Sequence, residues 1–307
     1  LISGNKIGID TNNDPYFTMT GNVISFNDSL GVDNFTGTSA GDSIVSNGDG
    51  DGFGIELLEG AWLTGGTISA NQGHGVLIND AEKAYLYANL ISGNTGNGIK
   101  TNGAGNLSWQ VGNNLITGNG QNGILVTYDC NTGSFSSAVF FNNVVSGNTA
   151  DGILFDEVWF SDVISGEFTL SNNIISENGG AGVSRVMNSD VFTVSDVNLL
   201  FNNVYNNAGG NYLNGFSSGY QELSSDPLFV NAAGADFHLS PGSPSINAGQ
   251  PSDAYSDLDL TRNDQGIYGG SYAYDQYHGN PVGARLIKLT LSNRFVRQGE
   301  TITIQAQ

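Results

Sequence analysis

An all-β chain wound as a parallel solenoid is the fold this sequence predicts, and three observations predict it. A Gly-aliphatic pair recurs at Gly8-Ile9, Gly31-Val32, Gly54-Ile55, Gly75-Val76, Gly98-Ile99, Gly123-Ile124, Gly152-Ile153 and Gly182-Val183, with the aliphatic positions 23, 23, 21, 23, 25, 29 and 30 residues apart. An asparagine keeps the same beat, at Asn5, Asn27, Asn47, Asn71, Asn94, Asn119, Asn148, Asn178 and Asn207. Between these marks no stretch sustains the period of about 3.6 residues that an amphipathic helix needs. Units that recur at a fixed period of this length bury their apolar faces only by stacking on one another.

Each element of one unit has a local reason. Runs such as Ala84-Tyr85-Leu86-Tyr87 and Asn89-Leu90-Ile91-Ser92 are rich in β-branched, aliphatic and aromatic residues and read as short strands. Gly, Asn and Asp between them supply turns that tolerate positive φ. Three short strands in a coil of about 23 residues suit a parallel β-helix, whose rungs lie about 4.8 Å apart. The recurring Asn then stacks at one turn of every rung, where its amide can bond the rungs above and below.

Two groups of motifs resemble a known family. Ile91-Ser92-Gly93-Asn94-Thr95-Gly96-Asn97-Gly98-Ile99 and Ile116-Thr117-Gly118-Asn119-Gly120-Gln121-Asn122-Gly123-Ile124 look like the repeats of right-handed parallel β-helices in bacterial extracellular proteins. Asp226-Pro227-Leu228-Phe229-Val230, Asp236 to Pro244, Ile246-Asn247-Ala248-Gly249 and Arg262 to Gly270 resemble the tail that closes many such helices. The resemblance implies a right-handed β-helix over residues 1–225 and a closing tail with linker over 226–283. It implies an exported, surface-associated class without fixing an activity, since one fold hosts lyases, hydrolases, epimerases, binders and stalks.

Composition narrows the partners. Acids number 29 against nine Lys plus Arg, for a net charge of −20. Nucleic acid is therefore not an expected partner, because phosphate binding needs basic clusters. One cysteine, Cys130, excludes an internal disulfide framework. No signal peptide or membrane span is visible. Leu1 begins inside a repeat, so the expectation is a piece of a longer bacterial protein, extracellular or at the cell surface. Near the other end Arg285, Lys288, Arg294 and Arg297 arrive together and two alternating apolar runs follow, which reads as the first strands of a β-sandwich-like module over 284–307.

If each Gly-aliphatic pair points its aliphatic side chain inward, the next residue points out. That outward column reads Asp10, Asp33, Glu56, Leu77, Lys100, Leu125, Leu154, Ser184. Three carboxylates one rung apart would repel by about 3 kcal/mol per pair at roughly 5 Å and an effective dielectric near 20. Calcium is one remedy. Asp49 and Asp51, in Asn47-Gly48-Asp49-Gly50-Asp51-Gly52, add oxygens in a loop similar to the first half of a calcium loop, although Leu58 stands where its twelfth residue should be acidic. The alternative is an ordinary Gly-Asp turn beside a solvated acidic face.

Three further features bear on activity. The longer late periods carry Tyr128, Phe135, Trp159 and Phe160, which form either an aromatic wall for sugar rings or a cover over outward Leu125 and Leu154. Gly73-His74-Gly75, followed by Gly98-Ile99-Lys100, resembles a motif pair of polygalacturonase-like glycosidases. The partner carboxylates of those enzymes have no counterpart, because Phe53 and Leu30 continue the His74 column. His74 then reads as a turn residue between glycines. Lys100, two rungs from Glu56, could instead serve as the base of a calcium-dependent polysaccharide lyase, or simply offset an acidic face. Taken together, the residues suit a surface scaffold binding extracellular polysaccharide or neighbouring surface proteins. A uronate-directed lyase and a self-assembling layer, stalk or adhesin remain the alternatives.

Overall fold

The computed structural model describes residues 1–50, 52–104, 108–130, 136–160, 166–186, 196–252 and 255–273. Asp51, Phe135 and the expected module at 284–307 lie outside them. Within the described residues the chain is a parallel β-helix built from three long sheets. Sheet A stacks nine three-residue or shorter strands from Ile2–Ser3 to Asn203–Tyr205. Sheet B stacks nine strands from Ile7–Asp10 to Gly210–Tyr212, and sheet C eight from Thr18–Thr20 to Val197–Leu200. Neighbours in these sheets are parallel and one repeat apart in sequence, as in Val76↔Ile99 and Ile99↔Ile124. No helix among the described residues is long and apolar enough to cross a membrane.

The core is a stack of like upon like. Sheet B contributes Val32, Ile55, Val76, Ile99, Ile124, Ile153 and Val183, all fully buried. Sheet A adds Ile24, Ile44, Ile68, Ile91, Ile116, Val145 and Ile175, and sheet C adds Leu63, Leu86, Val111, Phe140 and Leu170. At about 25 cal/mol per Å2 of apolar surface, these columns are the main source of stability.

The asparagine beat is a hydrogen-bonded ladder. Asn94 Nδ2 donates to Asn119 Oδ1 at 3.0 Å and to the Ile68 carbonyl at 3.1 Å, and the Asn94 backbone N–H reaches the same Oδ1 at 3.2 Å. The pattern climbs from Asn5 to Asn207 and ends on Asn211 Oδ1. This ladder also explains the glycine of each Gly-aliphatic pair. A Cβ at Gly98 would lie 2.6 Å from Ile116 Cγ2 and 2.8 Å from Asn119 Nδ2. The Asn needs the space that the missing side chain leaves.

A second ladder, which sequence reading did not separate from the first, stands at the turn from sheet C to sheet A. Asn89, Asn114, Asn143, Asn173 and Asn202 repeat the same bonds, and Asn202 Nδ2 ends on Glu222. Glu222 also accepts from Tyr212 Oη and from the Gly219 N–H at 2.8 Å. Burial raises its pKa despite those bonds. Toward the other end the ladder is interrupted. Asn22 donates to Asp42, which can only accept, and the next position is Gly66, which offers no side chain to receive a bond.

The segment from Ser225 to Ala273 folds back along the flank of the rod. Outward positions of sheet A change from Val23, Ser43 and Thr67 to Leu90, Leu115, Val144 and Ile174. The last three are buried with Phe237 and Ile267 in a satellite core, where Leu90, Phe229, Leu239 and Tyr268 pack. The residue before each second-ladder position has positive φ, and its identity changes in step: Gly21, Gly41, Gly65 and Ala88, then Asn113, Asn142 and Asn172, and last Phe201. Those three asparagines grip the returning chain. Asn113 Nδ2 donates to the carbonyls of Ile267 (3.0 Å) and Gly269 (2.7 Å), and Asn142 Nδ2 donates to Asn263 Oδ1 and the Asp264 carbonyl, each at 2.8 Å. Asn172 Oδ1 accepts the Gln250 N–H at 2.8 Å.

Candidate functional site

Sheet B's outward column has the composition that the alternation requires. Asp10 pairs with Asp33, Glu56 with Leu77, Leu77 with Lys100, Lys100 with Leu125, and Leu154 with Ser184. One irregularity matters. Val32 opposes Ile55 while Phe35 opposes Leu57, so Asp33 and Asn34 together face the single residue Glu56. Asn34 takes φ of 55°, the left-handed conformation that an asparagine tolerates best after glycine.

That bulge puts a hydrogen-bonding amide among the acids. Asn34 Nδ2 donates to Asp10 Oδ1 at 3.1 Å, and its backbone N–H donates to Glu56 Oε2 at 3.2 Å. Glu56 Oε1 accepts from Asn79 Nδ2 at 2.8 Å, and Asn79 Oδ1 accepts from Asn102 Nδ2 at 2.9 Å. The result is a polar lane running up successive coils: Asp10, Asn34, Glu56, Asn79, Asn102. Sequence reading found its acids but missed its amides. The signal was available, since Asn79 and Asn102 sit one alternation beyond Leu77 and Lys100 and are in register with each other.

The chain thus supplies two remedies of its own for carboxylate repulsion. One is the set of amide donors. The other is a proton. Burial raises the Asp33 pKa from its ordinary 3.8 to about 6, and a hydrogen bond to Glu56 and the charges of Glu56 and Asp10 push the same way. Glu56 itself is 8 % exposed, and both of its oxygens are engaged. Among the described residues no three His, Cys or acidic side chains converge as a metal cluster. The residues that could contact a cation from this lane are Asp10, Asp33 and the carbonyl oxygens of the amides. Asp49 is exposed at a separate turn, and Asp51 lies outside the described residues.

The remaining candidates separate. Lys100 is half-buried and lies two coils from Glu56 with Leu77 between them. His74 is in register with Phe53, and its Nδ1 accepts the Asn97 N–H at 3.0 Å. Its ring starts a third polar column, because Asn97 Oδ1 accepts from Asn122 and Asn122 Oδ1 from the Asp151 N–H. An Nδ1 that accepts leaves the proton on Nε2. The Tyr128, Trp159 and Phe160 backbones belong to sheet B strands, with Tyr128 opposite Val158 and Cys130 opposite Phe160.

Comparison with protein families agrees with the architecture. A family profile described as right-handed β-helix region matches residues 5–156, and one described as disaggregatase related matches residues 82–256. No curated protein matches the chain. Among solved structures, the periplasmic alginate epimerase AlgG aligns at 16% identity with a TM-score of 0.43, covering 66% of this chain and 55% of that one. A double mutant of the same epimerase aligns at 17% identity with a TM-score of 0.42, covering 67% of this chain and 47% of that one. The chain thus spans about half the length of these structures, and at such identity the likeness is one of fold alone.

Proposed function

The chain belongs to the disaggregatase-related family of proteins, and from that premise we propose that it is a secreted or cell-surface β-helix that binds extracellular glycan along the outer face of sheet B. The single observation that carries this reading is the lane Asp10–Asn34–Glu56–Asn79–Asn102. Carboxylates and amides in fixed register are the donors and acceptors that sugar hydroxyls need, and the coil spacing of about 4.8 Å repeats them along one direction. A rigid lane of this kind loses little entropy on binding.

The charge of −20 shapes the ligand. Neutral glycans meet no penalty on this face, whereas uronates need calcium bridging Asp10 and Asp33 to the sugar carboxylate. Titration calorimetry with neutral and uronate oligosaccharides, with and without calcium, tests the reading. Binding that weakens at least about tenfold in Asp10→Ala and Asn102→Ala, the exposed members of the lane, supports it. Wild-type affinity in both variants overturns it. A second reading rests on Lys100, which shares the column with the acids: a uronate lyase with Lys100 as base. Absorbance near 235 nm on mixing with alginate or pectate would report its unsaturated product, and Lys100→Ala would abolish the signal.

A further inference from the structure

The outer face of sheet C differs in kind from that of sheet B. Over the middle of this sheet two outward columns run the length of the rod. One reads Thr18, Thr38, Trp62, Tyr85, Gln110, Val139, Thr169, Asn198, and the other Thr20, Ala40, Thr64, Tyr87, Gly112, Phe141, Ser171, Leu200. Neither column holds a charged residue, in a chain with 29 acids. Trp62 and Tyr85 are half-exposed, and their ring centroids lie 4.7 Å apart at an interplanar angle of 29°. Rings this close and this parallel must lie face to face, because rings side by side in one plane would collide. Since the two residues are one coil apart, their faces look along the rod.

One end of this stack is closed and the other is open. Tyr87 leans on Trp62 at 5.4 Å, and its hydroxyl donates to Gln110 Oε1 at 2.6 Å, in the coil beyond Tyr85. On the opposite side the Trp62 column continues as Thr38 and Thr18, both short and exposed. The free face of Trp62 therefore overlooks a step two coils long, roughly 10 Å. Tyr16, two residues before Thr18, is 88% exposed at the same end of the face. The cluster already accepts one flat ring: Tyr272 from the returning segment stacks on Tyr87 at 4.4 Å and 11°.

We propose that the step at Trp62 is a sugar-binding subsite, in which one pyranose ring of an uncharged glycan stacks on the free indole face and its hydroxyls meet Thr38 and Thr18. A ring at van der Waals separation, about 4 Å, sits over the Thr38 coil. The aromatic ring with flanking hydroxyl and amide groups gives the apolar face and polar rim that a sugar presents in reverse. A polyanion is disfavoured because neither column offers a cation and the nearby exposed Lys83 has Glu59 and Glu82 for neighbours, which also removes nucleic acid although bases stack on tryptophan. The step accommodates one ring, far short of the area a stable protein partner buries. The subsite shares no residue with the lane on sheet B, so the two stand or fall separately.

The experiment titrates the chain with cellohexaose, mannohexaose and galactohexaose, following tryptophan fluorescence and heat. Quenching or a blue shift is expected with at least one of them. Trp62→Ala should weaken that binding at least about tenfold, while Trp62→Phe retains most of it. Thr38→Tyr leaves Trp62 in place but fills the step with a third ring, and it should weaken binding as strongly. Absence of response to all three sugars overturns the proposal, as does undiminished binding in a folded Trp62→Ala or Thr38→Tyr protein.

Discussion

Sheets A and B are two sides of one rod, fed by the same repeat and backed by the same aliphatic columns, yet one is covered and the other is open. On sheet A the outward residues turn apolar at Leu90, Leu115, Val144 and Ile174, and the returning segment packs there with Phe237 and Ile267. On sheet B the outward residues over the early coils are Asp10, Asp33 and Glu56, and the bonds they make are to their own column and to amides beside it. The inward pattern therefore specifies the solenoid, and the two sides differ in what packs against their outward residues. A buried Asn on the covered side is part of the frame; a half-buried Asn on the open side is available to a ligand.

The strongest test of that contrast is to remove an amide from each side. Asn114 Nδ2 donates to Leu86 O, Gly112 O and Asn143 Oδ1 at 3.0–3.1 Å, and its Oδ1 receives two bonds from Asn89. Asn114→Ala leaves buried partners unsatisfied and should cost about 3–5 kcal/mol in urea unfolding. Asn79→Ala, on sheet B, removes one of the donors to the buried Glu56 carboxylate but sits in a single rung of the lane, and should cost less, about 1–2 kcal/mol. Equal losses would erase the distinction between the sides.

Next in size is the anchor of the cover itself. Ile267 is fully buried against Leu115, Val144 and Ile174. Ile267→Ala should destabilise by about 2–4 kcal/mol and expose the 225–273 segment to protease before the β-helix is cut. Simultaneous cleavage of both would mean the segment and the rod are one cooperative unit.

A smaller effect is expected from exchanging the turn residues that distinguish covered coils from bare ones. Asn113→Gly keeps the left-handed backbone but loses the bonds to Ile267 and Gly269, at about 1–2 kcal/mol. Hydrogen exchange at the second-ladder amides should stay slow while the 263–270 amides speed up.

The smallest effect is on the open side and appears as a pH dependence. The folded-state pKa of Asp33 is raised, to about 6 from 3.8, so folding favours its protonated form. The stability this group contributes is fully present below about pH 3.8 and lost as pH rises through about 6. Asp33→Asn copies the neutral form and should flatten the thermal-stability profile between about pH 3.8 and 6, with its advantage over the wild type at the upper end and above. Asp257, in the returning segment, is pushed up to about 7, first by burial and then by the charges of Asp264 and Asp259. It therefore loosens the cover in the same direction as pH rises. A variant with an unchanged profile would show that Asp33 and Glu56 do not share a proton.

Much of this could be read from the residues in order. The period, the inward aliphatic column, the asparagine beat and the acidic column are each local patterns repeated in register, and a parallel stack turns sequence spacing directly into spatial adjacency. The second ladder was harder to see because Asp42 and Gly66 interrupt it and Glu222 ends it from a segment outside the repeat. The aromatic step also escaped notice, since Trp62 and Tyr85 are ordinary strand residues until their columns are aligned with Thr38 and Thr18.

What the sequence by itself determined is the rod: a coil that buries Ile, Val and Leu on every turn can satisfy its backbone only by hydrogen bonding to the coils on either side. What only the tertiary structure decided is which outward columns meet solvent. The returning segment reaches Asn113, Asn142 and Asn172 from more than seventy residues away, and contacts at that separation follow from how the whole chain packs, with no period to announce them. The bulge at Asp33–Asn34 is likewise a packing outcome, set by how two residues share the space opposite Glu56.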